Sequence, residues 1–288
     1  MKGQFIYSKP NFAYTDNSLT TSFESTSTDR LTDFGYKVSK TGLSIGTGFE
    51  QYENFFYNPE LSLDFEDLET SPKASKNLKK QEGNYTDLYF NYSINYDRTN
   101  SRYEPSEGSR ITFFQELPLV SDNNELINTF IYTKYKNLNP SSNMIGKASF
   151  YLKSVNSFSN DHDVRISKRA FVPYHRLRGF EKGKIGPIEN SDYIGGNYVY
   201  TANLSTNLPQ ILTTVENLDF SYFIDAANVW GVDYNDSLDS SNKIRSSTGI
   251  AMDILTAVGP LTLSYSLPIT KNSSDKTENF RFNIGTSF

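Results

Sequence analysis

LTLSYSL, residues 261–267, sets Leu261, Leu263, Tyr265 and Leu267 against Thr262, Ser264 and Ser266. Apolar and polar residues alternate at every step, the period of a β-strand with one apolar face. FRFNIGTSF, residues 280–288, repeats the pattern. Phe280, Phe282, Ile284, Thr286 and Phe288 share one face, and Arg281, Asn283, Gly285 and Ser287 the other. Upstream, TGIAMDI (248–254) puts Ile250, Met252 and Ile254 opposite Gly249, Ala251 and Asp253. LDFSYFID (218–225) puts Phe220, Tyr222 and Ile224 opposite Asp219, Ser221, Phe223 and Asp225. LYFNYSINY (88–96) puts Leu88, Phe90, Tyr92, Ile94 and Tyr96 opposite Tyr89, Asn91, Ser93 and Asn95.

The polar face indicates what the apolar face touches. In a soluble sandwich the polar face meets water and is rich in Lys and Glu. Here it is mostly Ser, Thr, Asn and Gly, small residues that suit a wet interior lumen. Tyr and Phe near strand ends suit the aromatic girdles of an outer-membrane barrel. The fold expected is all-β: a transmembrane antiparallel β-barrel, with a soluble sandwich as the alternative.

Composition is compatible with this. Apolar residues make up 36% of the 288, yet 15% are aromatic, with 21 Phe and 20 Tyr against one Trp. Disordered chains lack aromatics. A formal charge of −5 argues against nucleic-acid binding. Without cysteine there is neither a disulfide framework nor a thiolate metal site. No run approaches 18 apolar residues, so no transmembrane helix is expected. No apolar segment of signal-peptide type follows Met1.

About thirteen strands can be counted, near residues 4–10, 18–25, 36–50, 55–67, 86–97, 109–118, 125–136, 144–156, 198–208, 216–230, 244–255, 260–269 and 279–288. Polar, mostly long connections at 68–85, 159–197, 231–243 and 270–278 alternate with shorter ones at 98–108, 137–143, 209–215 and 256–259. Long outer loops and short periplasmic turns are the bacterial barrel pattern. Single-chain bacterial barrels have even strand counts. An odd count therefore leads to the expectation that N-terminal strands are missing from this chain.

Several motifs have bland readings. GLSIG (42–46) matches the G-x-S-x-G of a hydrolase elbow, but no helix follows Ser44. A small lumen-facing serine is expected there. His162 and His175 have no nucleophile at a recognisable spacing and no metal-ligand cluster. DYNDSLD (233–239) lacks the features of a calcium loop and reads as a solvated loop. KNLKK (76–80) reads as a solvated stretch.

HRLRGFEKGKIGP (175–187) differs from these. Gly179 permits a turn that other residues resist, between Arg178 and Phe180. A guanidinium inside a partly dry lumen needs a carboxylate or several acceptors, and lumen-facing Asp225 is the candidate. From the residues alone, an exposed arginine on a flexible outer loop stands beside this reading.

LRGF (177–180) followed by KIGP (184–187) resembles the V/I/L-R-G-F loop of the BamA outer-membrane assembly family. FIDAANVWG (223–231) is similar to that family's F-x-D-x-G-x-V-W strand. YEPSEGSRI (103–111), GPLTLSYSLPI (259–269) and DKTENFRFNIGTSF (275–288) fall where the family places similar segments. The loop motif is shared with related secretion transporters of the superfamily; the combination points to the assembly factors.

The resemblance implies a sixteen-stranded barrel that follows periplasmic POTRA domains and inserts other barrel proteins into the outer membrane. Residues 1–288 would be the C-terminal part of that barrel, of bacterial surface antigen type. It would be incomplete at about thirteen of sixteen strands, with the POTRA domains and first strands absent. A long loop would fold into the lumen. Leu177, Arg178, Gly179 and Phe180 would form the loop motif, and Asp225 would be the wall partner of Arg178. Ser205 stands where the family often has a second acidic residue, and Ala227 where it prefers glycine. Phe280, Phe282, Ile284 and Phe288 would form the C-terminal strand signal. The implied activity is not enzymatic and uses no cofactor or metal. Incoming strands would join at a weakly paired seam between first and last strands. The implied partners are nascent outer-membrane proteins, assembly-machinery lipoproteins contacted through the POTRA region, and outer-membrane lipid, with no nucleic acid. The implied location is the bacterial outer membrane. A two-partner-secretion or translocation transporter of the same superfamily, or a passive porin, is the alternative.

Overall fold

A computed structural model of the protein describes residues 2–102, 104–139, 141, 144–159, 163–208, 218–238, 242–256 and 259–284. Eight strands come first: β1 (Lys2–Lys9), β2 (Ser18–Arg30), β3 (Tyr36–Tyr52), β4 (Phe55–Thr70), β5 (Gly83–Asp97), β6 (Gly108–Ser121), β7 (Glu125–Asn139) and β8 (Met144–Ser157). The long connection after β8 holds a small hairpin, β9 (Ile188–Glu189) and β10 (Asp192–Tyr193). Five strands complete the sheet: β11 (Tyr198–Asn207), β12 (Leu218–Trp230), β13 (Arg245–Thr256), β14 (Gly259–Thr270) and β15 (Phe280–Ile284). Apart from the β9–β10 hairpin, the strands follow one another in a single sheet of thirteen, with β8 beside β11. Every neighbouring pair is antiparallel. Among the described residues β1 and β15 do not pair with each other, so the sheet is open.

These are the thirteen strands that alternation predicts. Several run further than the pattern shows. β2 continues through Thr26–Arg30, where alternation is lost but pairing with Tyr36–Lys40 persists. Backbone ladders need only hydrogen-bond partners, whereas alternation is required only where one face meets lipid. Long and short connections alternate over much of the chain, but residues 31–35 and 122–124 make five- and three-residue connections on the long-loop side. No helix among the described residues is long and apolar enough to cross a membrane.

The two faces separate cleanly. Leu43, Ile45, Leu61, Phe150, Leu204, Ile250, Tyr265 and Leu267 all point outward and are exposed. So many half-bare apolar side chains on one surface require a lipid solvent. Ser44, between Leu43 and Ile45, faces inward and bonds Ser22 at 2.8 Å and Glu60 at 3.0 Å. The lumen also carries carboxylates, among them Asp64, Glu66, Asp87 and Glu125, which the small-polar pattern understates.

The apolar core lies inside the sheet. Ala170, Val172, Leu177, Phe180 and Ile185 of the long loop pack on Val199, Ala227 and Val229 of the inner wall. A second cluster joins Phe34, Leu68, Leu78, Ile166, Ile194 and Val232. The sheet thus buries its inner apolar residues against its own loop.

Outward and inward positions should respond differently to charge. Ile250→Arg, at mid-strand on the lipid face, should cost about 2–4 kcal/mol. Ser93→Arg, inward beside Asn91 and Asn58, should cost about 1 kcal/mol or less. Urea titration of the folded fraction in bilayers measures both; equal costs would contradict the assignment of faces.

Candidate functional site

Four adjacent strands present one row of inward positions: Ser149 on β8, Asn203 on β11, Asp225 on β12 and Ser247 on β13 are register partners. The tip of the 158–197 loop lies along this row. Arg176 Nη1 donates to Ser149 Oγ at 3.1 Å. Asn203 Nδ2 donates to the Arg176 carbonyl at 2.6 Å and to Asp225 Oδ1 at 2.9 Å. Arg178 makes a two-pronged pair with Asp225: Nε to Oδ2 and Nη2 to Oδ1, both 2.8 Å. The Arg178 backbone N–H adds a third bond to Oδ2 at 3.1 Å. Ser247 Oγ donates to the Arg178 carbonyl. The guanidinium lies over Phe223, its carbon 3.3 Å from the ring centroid.

This arrangement dictates small neighbours. A Cβ on Gly179, whose φ is +89°, would come within 3.2 Å of the Cβ atoms of both Ser247 and Ser266. The tip therefore requires glycine for conformation and for space. Phe180, 2% exposed, turns into the apolar cluster with Leu177.

A third side holds the tip from the sheet edge. Arg281 of β15 donates to the carbonyls of Phe180 and Tyr174, each at 2.6 Å, and to Glu278 at 2.9 Å. Its guanidinium carbon is 3.6 Å from the centroid of the Tyr174 ring. The Glu278 N–H bonds the Gly179 carbonyl at 3.2 Å, and Glu181 N–H bonds the Lys276 carbonyl at 3.0 Å.

The start of the loop is pinned three to five strands away along the same sheet, on β5 and β7. Arg165, fully buried, bonds Glu125 through Nε and Nη2 (3.1, 3.2 and 2.8 Å) and Asp87 through Nη2 at 2.6 Å. Its ring partner is Tyr85, 4.3 Å away. Burial opposes the charge, but the Glu125 hydrogen bonds and the charges of Glu125, Glu66 and Asp87 outweigh it. The Arg165 pKa is held above its usual value. Arg169 pairs with Asp233 at 2.9 Å, and Arg245 pairs with Asp275 and Asn228.

The structure brings Leu177, Arg178, Gly179, Phe180 and Asp225 together. Phe280, Phe282 and Ile284 lie apart from them, outward and exposed on β15; Phe288 lies outside the described residues. Ser205 does not reach the pair. Asn203 sits beside Asp225 instead and donates to it, so Arg178 shares one carboxylate with an amide. The row of cross-strand partners would have shown this. Sequence reasoning also missed Arg165, Arg281 and their partners. The available signal was the run of arginines at 165, 169, 176 and 178, each needing an acceptor. DYNDSLD is not simply solvated: Asp233 accepts from Val164 N–H and Arg169, and Tyr234 donates to Glu189 at 2.8 Å. KNLKK forms a turn of helix whose Leu78 is buried. His175 is exposed and His162 lies outside the described residues. No group of side chains suited to a metal occurs among the described residues.

An antiparallel membrane sheet wrapped round its own arginine-tipped loop defines a class of outer-membrane barrel. A model of the Omp85 superfamily domain matches residues 1–288; the chain belongs to the Omp85 superfamily. It is 29% identical over 140 residues to the outer membrane protein assembly factor BamA of Neisseria meningitidis serogroup B, covering 39% of this chain and 17% of that protein. To BamA of Neorickettsia risticii it is 20% identical over 259 residues, covering 88% of this chain and 34% of that one. BamA from Haemophilus ducreyi, solved without POTRA domains 1–3, superposes with a TM-score of 0.85 at 25% identity, over 98% of this chain and 61% of that one. CdiB from Acinetobacter baumannii shares the fold alone, at a TM-score of 0.53 and 10% identity over 98% of this chain and 50% of that one. The chain therefore spans about a sixth to a third of the two assembly factors matched in sequence. It is an outer-membrane barrel polypeptide similar to the barrel of BamA.

Removing either partner of the Arg178–Asp225 pair leaves a charge without its match. Arg178→Ala and Asp225→Ala should each cost about 3–5 kcal/mol. The double variant should cost less than the sum by about 2–3 kcal/mol. Folded-fraction titration in urea gives the cycle, and tryptic cleavage after Arg176, which every variant keeps, reports release of the tip. Additive costs would show that the two groups are not coupled.

Proposed function

We propose that this chain is the membrane part of an outer-membrane protein assembly factor, receiving strands of nascent barrel proteins at its open sheet edge. The observation that carries the reading is the likeness to the Haemophilus ducreyi BamA barrel along 98% of the chain, at a TM-score of 0.85. Three features support a mechanism. β15, Phe280–Ile284, has an outer edge without a strand partner among the described residues. An edge strand offers unpaired N–H and C=O groups that template an incoming strand. The loop tip holds that edge through Arg281, so the seating of Arg178 on Asp225 and the position of the edge are mechanically linked. The outward Phe280, Phe282 and Ile284 keep the edge strand in lipid while its backbone exchanges partners. No step breaks a covalent bond. Accessory lipoproteins would bind through parts of the whole protein outside this chain.

A chimera tests this. The part of Haemophilus ducreyi BamA that precedes the matched barrel is joined to this chain and expressed in cells depleted of their own assembly factor. Growth and the outer-membrane content of a reporter porin should recover. Arg178→Ala and Arg281→Gln should each reduce porin insertion more than they reduce the amount of folded chimera. Residues 1–288 alone should not rescue. Export of a single partner without recovery of the porin would overturn the assignment in favour of a secretion transporter.

A further inference from the structure

On the outer face, near the four-residue connection 140–143, lies a hollow of about 360 Å³. Its construction follows from the register. Lys134 of β7 is opposite Ala148 of β8, which is opposite Leu204 of β11, which is opposite Ile224 of β12. One step nearer the connection, Lys136 is opposite Gly146, then Thr206, then Tyr222. Two small residues on β8 thus make a floor. Lysines stand on one side of it, and Leu204, Ile224 and Tyr222 on the other. Leu138 lies over Gly146, where a Cβ would be 3.0 Å from its Cδ1.

The lysines are the anomaly. Both share a face with Leu204, Ile224 and Leu267, which are exposed to lipid. A lysine on the lipid face costs about 2–4 kcal/mol at the bilayer midplane and about 0–1 near the interface. Lys134 and Lys136 lie five and three residues from the end of β7 at Asn139. At about 3.3 Å per residue and about 40° of tilt, that places them about 13 and 8 Å inside the strand end. Their stems can carry the ammonium groups to the headgroup level. Among the described residues neither has an ion-pair partner. Two adjacent cations without a protein anion, beside an apolar hollow, call for a ligand with an anionic head and an apolar tail.

We propose that this hollow binds one anionic phospholipid of the periplasmic leaflet, its headgroup phosphate between Lys134 and Lys136 and an acyl chain along Gly146 and Ala148. The short connection puts this end of the strands on the periplasmic side. A second copy of the chain docked isologously here would set lysines against lysines, which charge repulsion opposes.

The test uses the chain extracted from membranes in mild detergent and native mass spectrometry of its lipid adducts. Short-chain phosphatidylglycerol, phosphatidylcholine and inorganic phosphate are added in turn. The folded state of each variant is checked by heat-dependent gel mobility. The wild type should retain phosphatidylglycerol over phosphatidylcholine. Lys134→Gln and Lys136→Gln should each lower that preference roughly fivefold, the equivalent of about 1 kcal/mol per lysine. The double variant should abolish it. Ala148→Phe, which fills the floor, should reduce retention of both lipids. Equal retention of the two lipids by wild type, or an undiminished preference in the double variant, would overturn the proposal. So would displacement of the lipid by inorganic phosphate, unchanged retention in Ala148→Phe, or a lysine-dependent dimer in place of adducts.

Discussion

A guanidinium held away from bulk water is tolerable only when an anion matches it, and Asp225 supplies that match for the whole loop tip. Its two oxygens accept from the side chain of Arg178, the backbone of Arg178 and Asn203. A carboxylate so fully used cannot shift without stranding a buried charge. The constraint spreads to its neighbours. Asn203 must donate, because the remaining lone pair needs a proton. Ser247 and Ser266 must be small, because Gly179 lies on them. Phe223 must be flat, because the guanidinium rests on it. The small polar lining of this wall is the imprint of the loop it receives.

The loop closes the interior in a second way. An open sheet of thirteen strands with an apolar outer face has no packed core of its own. The 158–197 loop supplies one, with Leu177 and Phe180 against Val199 of β11 and Val229 of β12, and Ile166 in a second cluster with Leu68 and Leu78. Ion pairs fix the loop at two separate places on the sheet: Arg165 to Asp87 and Glu125 on β5 and β7, Arg178 to Asp225 on β12. The loop is thus held at both ends to the inner face of the sheet. Ion pairs set its register, and apolar burial provides most of its adhesion.

The strands were legible because lipid imposes alternation wherever one face of a strand meets it, most clearly in the runs at 88–96, 218–225, 248–254, 261–267 and 280–288. The contact of Arg178 with Asp225 was approachable because a motif singled out the arginine and alternation placed the aspartate inward. Arg165 was not, because its acceptors Asp87 and Glu125 sit on two strands 78 and 40 residues away. Nothing local marks either acid as a partner. Asp233 was misread because an acidic stretch looks solvated whether or not an arginine descends on it. Asn203 was missed because the comparison of motifs looked for a second acid, whereas the geometry needs a donor.

Arg281 shows why a loop motif and an edge strand belong to one device. Among the described residues β15 pairs with β14 over Phe280–Ile284. On its inner side the buried Arg281 grips two loop carbonyls, and the neighbouring Glu278 N–H grips a third. Those bonds join side chain or backbone to the loop tip rather than to a neighbouring strand. The edge is therefore anchored from inside the lumen, with no strand on its outer side among the described residues. Such an arrangement needs the tip to be stiff, and Asp225 beneath Arg178 makes it so.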